Sequence, residues 1–305
     1  MRKLTIFFWV ASTAMVMVSC KKEPVPVIQP PLVENPLPVL PTSQNRENDP
    51  VNFGNPTKAQ TLFSFTGNYL MDQSFYKIAY SSIRNIPLWV AWHFQSENIG
   101  GTPRQDDFRP DEALPAPWYK VQSNSFSGSG FDRGHNCPSG DRTASIAQNS
   151  STFLMTNIIP QAPKMNQGAW EGLETFMRNS LAGSNNEVYV VMGNYGIGGY
   201  NSNGTLYNNI NNGYVTVPAR IWKVILVLPK GANDLHRITR NSTILAVDMP
   251  NDNRVFTNTQ SNLWRNYITN VYNIERAANA AGVPLQLFQN MADSLQPILK
   301  AAVFQ

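Results

Sequence analysis

Between Phe75 and Ser81, and again between Ile86 and Phe94, large apolar side chains alternate with smaller ones, and the polar pair Arg84-Asn85 lies between the two stretches. Period-two alternation broken by turn residues predicts a β-hairpin. Four later runs are rich in β-branched residues: Glu187–Gly193, Val215–Val217, Ile221–Leu228 and Thr243–Val247. Turn signals separate them, so they are expected to be neighbouring strands of one sheet. At Asn166 the period changes. From there to about Leu181 the apolar positions Trp170, Leu173, Met177 and Leu181 recur at helical spacing, leaving Glu171, Glu174 and Arg178 largely on another face. Leu263–Ala278 and Leu285–Ala302 read as two further helices, parted near Gly282-Val283-Pro284. Asn98–Tyr119, rich in Gly, Pro and Asp, reads as a loop. Strands interleaved with few helices predict an α+β domain, a mixed or antiparallel central sheet flanked by helices.

The first fifty or so residues follow another pattern. Met1–Cys20 opens with Arg2 and Lys3, continues with an apolar stretch from Leu4 to about Val18, and ends in Ser19-Cys20 before Lys21-Lys22-Glu23. That is the layout of a secretory signal, too short to span a membrane comfortably. Because the small Ser19 directly precedes Cys20, the segment resembles a bacterial lipoprotein signal, although Met17 stands where leucine is usual. Residues 1–19 would then be removed and Cys20 would carry lipid. Several acyl chains, at about 0.8 kcal/mol per buried CH₂, would anchor the chain firmly. Ordinary cleavage to a soluble exported protein is the alternative. Nine prolines between 24 and 56, with few aromatic residues, predict that 20–56 is a lipidated cysteine on an extended tether. The folded domain is expected from 57 to 305.

With 42% hydrophobic residues in 305, one full core is within reach. The net charge is only +4, and Arg2 and Lys3 lie in the segment to be removed, so attraction for a polyanion has to come from a local patch. There are two cysteines; once Cys20 is lipidated, Cys137 has no disulfide partner. Apart from His135, two residues before it, Cys137 has no second cysteine or further histidine nearby to complete a zinc set, and reads as a small buried residue.

The candidate chemistry lies in Asp132-Arg133-Gly134-His135, inside the run Gly-Phe-Asp-Arg-Gly-His-Asn-Cys-Pro-Ser-Gly-Asp at 130–141. It sets an imidazole beside a guanidinium and a carboxylate, with Gly134 expected to let the backbone turn tightly before the histidine. About thirty residues on comes Lys164-Met165-Asn166-Gln167-Gly168-Ala169-Trp170-Glu171-Gly172-Leu173-Glu174. A histidine that accepts a proton and an asparagine that offers a neutral oxygen to a hard cation are the parts of a one-metal phosphodiesterase. The other two histidines, His93 after an apolar strand and His236 among polar neighbours, read as structural.

Together with Thr152-Phe153, Thr156-Asn157-Ile158-Ile159-Pro160-Gln161 and Asn166-Gln167-Gly168-Ala169-Trp170 through Leu173-Glu174, the motif resembles the DNA/RNA non-specific endonucleases. That family has a ββα-metal (His-Me finger) site, and the likeness runs from about Asn85 to about Gln289. The resemblance implies that His135 is the general base that takes a proton from the attacking water. It implies that Asn166, also a favoured N-cap where the helix is expected to start, is the direct protein ligand of Mg²⁺, with Mn²⁺ or another divalent cation as a substitute. Glu174 would hold water bound to that cation. Arg104 would contact the scissile phosphate, with Arg109 as the competing candidate. Arg133 and Arg178 are candidate phosphate contacts or structural ion pairs, Asp132 orients the motif, and Asn157 shapes the site through hydrogen bonds. The implied substrates are DNA and RNA, cleaved to 5′-phosphate ends, with no obligate protein partner. With the signal segment, the expectation is an exported cell-envelope lipoprotein that meets the membrane through its lipid. The rival readings are a catalytically inactive lipoprotein that binds polyanions or a partner, and a phosphodiesterase for non-nucleic substrates. Two departures from the family stand out: Asn136-Cys137 replaces an apolar pair, and the chain after Asn251 matches weakly.

Overall fold

The structure, a computed structural model, describes residues 47–256 and 260–305. The signal segment, Cys20 and the tether up to residue 46 lie outside the described residues. The strands are β1 (Tyr69–Asp72), β2 (Lys77–Ser81), β3 (Ile86–Phe94), β4 (Asp132–His135), β5 (Ile158–Gln161) and β6 (Asn186–Tyr195). After them come the short β7 (Gly199–Tyr200), β8 (Leu206–Tyr207), β9 (Asn209–Ile210) and β10 (Val215–Thr216), then β11 (Arg220–Pro229), β12 (Thr243–Pro250) and β13 (Ile268–Thr269). Seven of them form one sheet in the order β1-β2-β3-β6-β11-β12-β13, with every neighbouring pair antiparallel.

The expected hairpin is present as β2 and β3, and Asn85 takes φ 52° in the turn between them. Strands β6, β11 and β12 are the expected apolar runs, and their alternation sorts side chains onto two faces. Val188, Val190, Met192, Ile221 and Ile225 pack into one buried cluster with Trp170, Leu173 and Met177. Tyr189, Trp222, Val224 and Leu226 pack into another, against Val271, Ile274 and Ala278 of the helix Val271–Ala280. The sheet is thus covered on both faces, and the helix from the candidate motif covers the first.

Four expectations need correction. Val215–Thr216 is a strand, but it pairs with Asn209–Ile210 outside the main sheet. Leu263–Ala278 is not one helix: a 3₁₀ turn at Leu263–Tyr267 gives way to β13, which extends the sheet edge beside Ala246 and Val247. The helix then restarts at Val271, where the Asn270 side chain accepts the Asn273 N–H at 2.9 Å. Of Leu285–Ala302 only Gln296–Ala301 is helical, because Pro297 fits the first turn of a helix and not its interior.

The fourth concerns the tether. Residues 47–56 pack on the domain instead of extending from it. The Phe53 ring is buried edge-on against Tyr189 at 4.6 Å, and burying such a side chain is worth about 1.5–3 kcal/mol. Asn290 donates from its backbone and side chain to the carbonyls of Phe53 and Asn52, and Lys77 pairs with Asp49 at 3.0 Å. The packed domain therefore includes residues from about 47 onward. Among the described residues, no helix is long and apolar enough to cross a membrane.

Candidate active site

Strands β4 and β5 form a separate two-stranded antiparallel ribbon, with Asp132 opposite Gln161 and His135 opposite Ile158. The helical run 163–182 follows at once, so two strands and a helix enclose the site. Gly134 is inside the ribbon and makes no tight turn, contrary to the sequence reading. Its lack of a side chain is required for another reason: a Cβ there would lie 1.9 Å from Gln161 Oε1 and 2.6 Å from Gln161 Cβ. Close approach of two strands, not backbone freedom, explains this glycine.

His135 is half-buried between two aromatic rings, Phe153 at 4.9 Å and Phe108 at 5.5 Å. Its Nε2 is buried with no hydrogen-bonding partner among the described residues. Desolvation, with Arg104 and Arg133 nearby, pushes the imidazole pKa down to about 3. The ring is therefore neutral at physiological pH, the form that can accept a proton. The backbone after His135 is fixed by Asn157, which is fully buried. Asn157 Oδ1 accepts from the Cys137 N–H, its Nδ2 donates to the carbonyls of Cys137 and Thr152, and its own carbonyl accepts from Asn136. Cys137 itself is buried and free, and burial raises its thiol to about 12, so it stays protonated and unreactive.

The site helix consists of an α-helical stretch, Glu171–Phe176, between two wide turns with π-type bonding, Met165–Trp170 and Met177–Ala182. Such turns are rare and concentrate at functional sites. Helical geometry begins at Pro163, suited to a first helical position, so Asn166 is within the first turns and is not the N-cap. The orphan N–H groups at this end are taken from elsewhere in the chain. Asn251 Oδ1 accepts the Ala162 N–H at 2.7 Å, and Asn253 Oδ1 accepts the Lys164 N–H at 2.9 Å. Asn166 is thereby free to face the cavity. Its Nδ2 donates to Asp132 Oδ2 at 2.9 Å, and Gln167 Nε2 donates to the same oxygen at 2.8 Å. Asp132 thus anchors the amide by its nitrogen and leaves Oδ1 for another partner.

The arginines divide by their surroundings. Arg104 lies over the Phe153 ring, donates to Ser139 Oγ at 2.8 Å and pairs with Asp106 at 2.7 Å. Both members of that pair are half exposed, so it is worth about 0.2–1 kcal/mol at most and a phosphate can displace Asp106 cheaply. Arg109 is used up in its own loop, donating to the Asp107 side chain and to the Ser150 carbonyl, and it lines neither cavity at the motif. Arg133 lies over Phe108, its guanidinium carbon 3.8 Å from the ring centre, with no carboxylate within ion-pair distance among the described residues. Arg178 is held at 2.9 Å by Asp141, which is fully buried and also accepts the Trp92 indole N–H at 2.9 Å.

One open cavity of about 330 Å³ gathers Arg104, Arg133, His135, Asn166, Glu171, Glu174 and Arg178. A second of about 510 Å³ adjoins it, sharing Arg104, Arg133, Asn166 and Gln167 and reaching Phe126 and Phe131. Seven of the nine candidate residues therefore converge on these two cavities, Asp132 in the larger one; Arg109 lies outside both, and Asn157 acts from behind the wall. Glu174 sits at the wall with its carboxylate 3.3 Å from Lys223 Nζ; burial pushes its pKa up while Lys223 and Arg178 pull it down. Among the described residues, no three His, Cys, Asp or Glu side chains are grouped to cage a metal ion. That excludes a zinc-type set there but suits a hard cation that keeps most of its waters and takes one amide oxygen.

The sequence reading missed Lys223, Asp141, Asn251 and Asn253. Lys223 and Asp141 were legible only as polar residues in otherwise apolar or turn segments. Asn251 and Asn253 reach the site helix from more than eighty residues away, so no local spacing points to them. His93 is structural, its Nε2 at 2.9 Å from Glu187 in a buried pair, and His236 is exposed at the end of a short helix, Asp234–Arg237.

Comparison with known proteins bears on this arrangement. The family model for DNA/RNA non-specific endonucleases matches residues 54–294. A protein named nuclease from Nostoc sp. is 40% identical over 222 residues, covering 73% of this chain and 76% of that one. Human mitochondrial endonuclease G is 31% identical over 167 residues, covering 53% of this chain and 56% of that one. The matched region thus spans about half the length of that mitochondrial relative. In structure, the chain resembles one solved in an EndoG/EndoGI complex, with TM-score 0.60 and 22% identity, covering 79% of this chain and 91% of that one. At that identity the likeness speaks for the fold.

Proposed function

The chain belongs to the DNA/RNA non-specific endonuclease family, and we propose that it is an exported endonuclease that hydrolyses DNA and RNA with the help of a divalent cation, Mg²⁺ by preference. The observation that carries the reading is the single cavity in which a neutral histidine, an amide oxygen left open by its neighbour and three arginines meet. His135, kept uncharged by burial and by two guanidinium groups, takes the proton from the attacking water. Arg104, weakly engaged by Asp106, turns to a non-bridging phosphoryl oxygen and offsets the charge that builds there. Arg133 and Arg178 hold the flanking backbone, and Asp141 keeps Arg178 in place.

A hard cation would be held by Asn166 Oδ1, with Asp132 fixing the amide and Glu174 at the wall beside it. Bound there, it would supply electrostatic stabilisation of the phosphoryl transition state and of the leaving oxygen. Contacts to phosphates carry no base information, which suits a substrate range of both DNA and RNA. The products would carry 5′-phosphates. Lipidation at Cys20 and residence in the cell envelope complete the proposal. It is tested by titrating Mg²⁺ against cleavage by wild type and Asn166→Ala. The variant should lose activity most severely at low Mg²⁺ and recover in part at high Mg²⁺. Equal cleavage by both proteins at every Mg²⁺ concentration would remove Asn166 from the site.

A further inference from the structure

Lys223 stands where a central strand should carry an apolar side chain. It lies on β11 between Ile221 and Ile225, on the same face, opposite Met192 of β6 and Val247 of β12, and its side chain is fully buried. A buried ammonium with no counter-charge would be very costly, so its surroundings have to explain it. Among the described residues, its one carboxylate at ion-pair distance is Glu174, with Oε1 at 3.3 Å. Its Nζ also lies over the faces of Trp170, at 4.5 Å, and Trp92, at 5.5 Å, where ring electrons favour a cation. Trp170 belongs to the site helix, and the Trp92 indole is bonded to Asp141, the residue that holds Arg178.

The partner's position is what separates this pair from an ordinary core ion pair. Glu174 is only partly buried, and it lines the cavity that holds His135 and Asn166. Uncharged side chains of similar size at both 223 and 174 would fill the same space without charge, and such replacements of whole buried pairs are often neutral or stabilising. Stability alone therefore gives no reason to keep a lysine here. We propose that Lys223 is a positioning residue for phosphodiester hydrolysis: its ammonium, presented from the sheet below, fixes the Glu174 carboxylate at the cavity wall and with it the helix face that carries Asn166. Burial raises the Glu174 pKa on balance, and Lys223 is the largest influence that opposes this rise. The inference rests on the endonuclease reading of this site.

The test is a double-mutant cycle on the whole folded domain: wild type, Lys223→Met, Glu174→Gln and the double variant. Each is measured for Tm and for kcat and KM on a labelled DNA duplex at saturating Mg²⁺. Lys223→Met should lower kcat about 10–100-fold, the usual loss when the support behind a site is removed, with KM nearly unchanged. Because Lys223 acts through Glu174, the double variant should be no slower than Glu174→Gln. Folded Lys223→Met with kcat near wild type, or losses that multiply in the double variant, would overturn the proposal. If Lys223→Met alone is too unstable to purify, the comparison of Glu174→Gln with the double variant decides, since that double variant leaves no unpaired buried charge. Equal rates support positioning through Glu174, and a further large loss overturns it. Failure of the endonuclease reading would look different: wild type itself would be inert, or indifferent to loss of His135.

Discussion

Gly134→Ala adds one methyl group at the tightest contact in the ribbon. The new Cβ would fall 1.9 Å from Gln161 Oε1, 2.6 Å from its Cβ and 2.8 Å from its Cδ. The amide end could rotate, but the Cβ is tied to the backbone of β5, so the two strands must separate by several tenths of an ångström. Gln161 is fully buried and has no open side to retreat to. Overpacking of this kind costs about 1–3 kcal/mol. At about 2–4 °C per kcal/mol for a domain of this size, Tm should fall by about 2–12 °C. The loss of activity should be larger than the loss of stability suggests, because His135 is the next residue and a misplacement near 1 Å can cost about 100-fold in rate. The assay is thermal unfolding beside kcat on duplex DNA, measured well below Tm. The same two quantities are then taken for Gln161→Gly and for the pair together. Gln161→Gly removes every atom that the alanine strikes except backbone, so the double variant should be less impaired than the sum of the singles. Unchanged Tm and kcat in Gly134→Ala, or strictly additive losses in the pair, would refute the close-approach explanation.

Two further outcomes follow from the site and from the N-terminus. Arg104 is one of the causes that hold His135 down, so in wild type the acid limb of kcat/KM should lie well below pH 6.5, the ordinary histidine value. Arg104→Ala removes a lowering influence, so its limb should move to higher pH while kcat falls; a limb that stays in place would show that Arg104 does not act on the imidazole. At the N-terminus, a clickable fatty acid should label the wild-type protein in cells and not Cys20→Ser, and unlabelled wild type would exclude the lipid anchor.

The parts of this fold legible in the sequence are those with local causes. The β2–β3 hairpin shows as alternating aromatics around Arg84-Asn85, and the apolar face of the site helix shows as Trp170, Leu173 and Met177, all buried. The motif residues were legible for the same reason, since His135, Asn166 and their neighbours lie in two short runs. What failed depends on distant partners. Ile268-Thr269 leaves a helical pattern because Ala246 and Val247 offer it an open sheet edge. Asn166 loses its N-cap role because Asn251 and Asn253 cap the helix from across the chain. Residues 47–56 read as tether by their prolines, yet Phe53 finds a pocket beside Tyr189 that no composition could reveal. Lys223 within an apolar strand was a visible anomaly whose meaning needed Glu174 beside it.

The central claim is that His135 is the base of a cation-assisted phosphodiesterase acting on both nucleic acids. Its most direct test uses residues 47–305, wild type and His135→Ala, on supercoiled plasmid and on RNA, with Mg²⁺ or with EDTA. Wild type should degrade both substrates in Mg²⁺ and neither in EDTA. His135→Ala should melt near the wild-type temperature and cleave about 10²–10⁴-fold more slowly, the range that general-base catalysis supplies. A folded variant that keeps more than about a tenth of wild-type cleavage, well above that range, or wild-type cleavage that persists in EDTA, would contradict it.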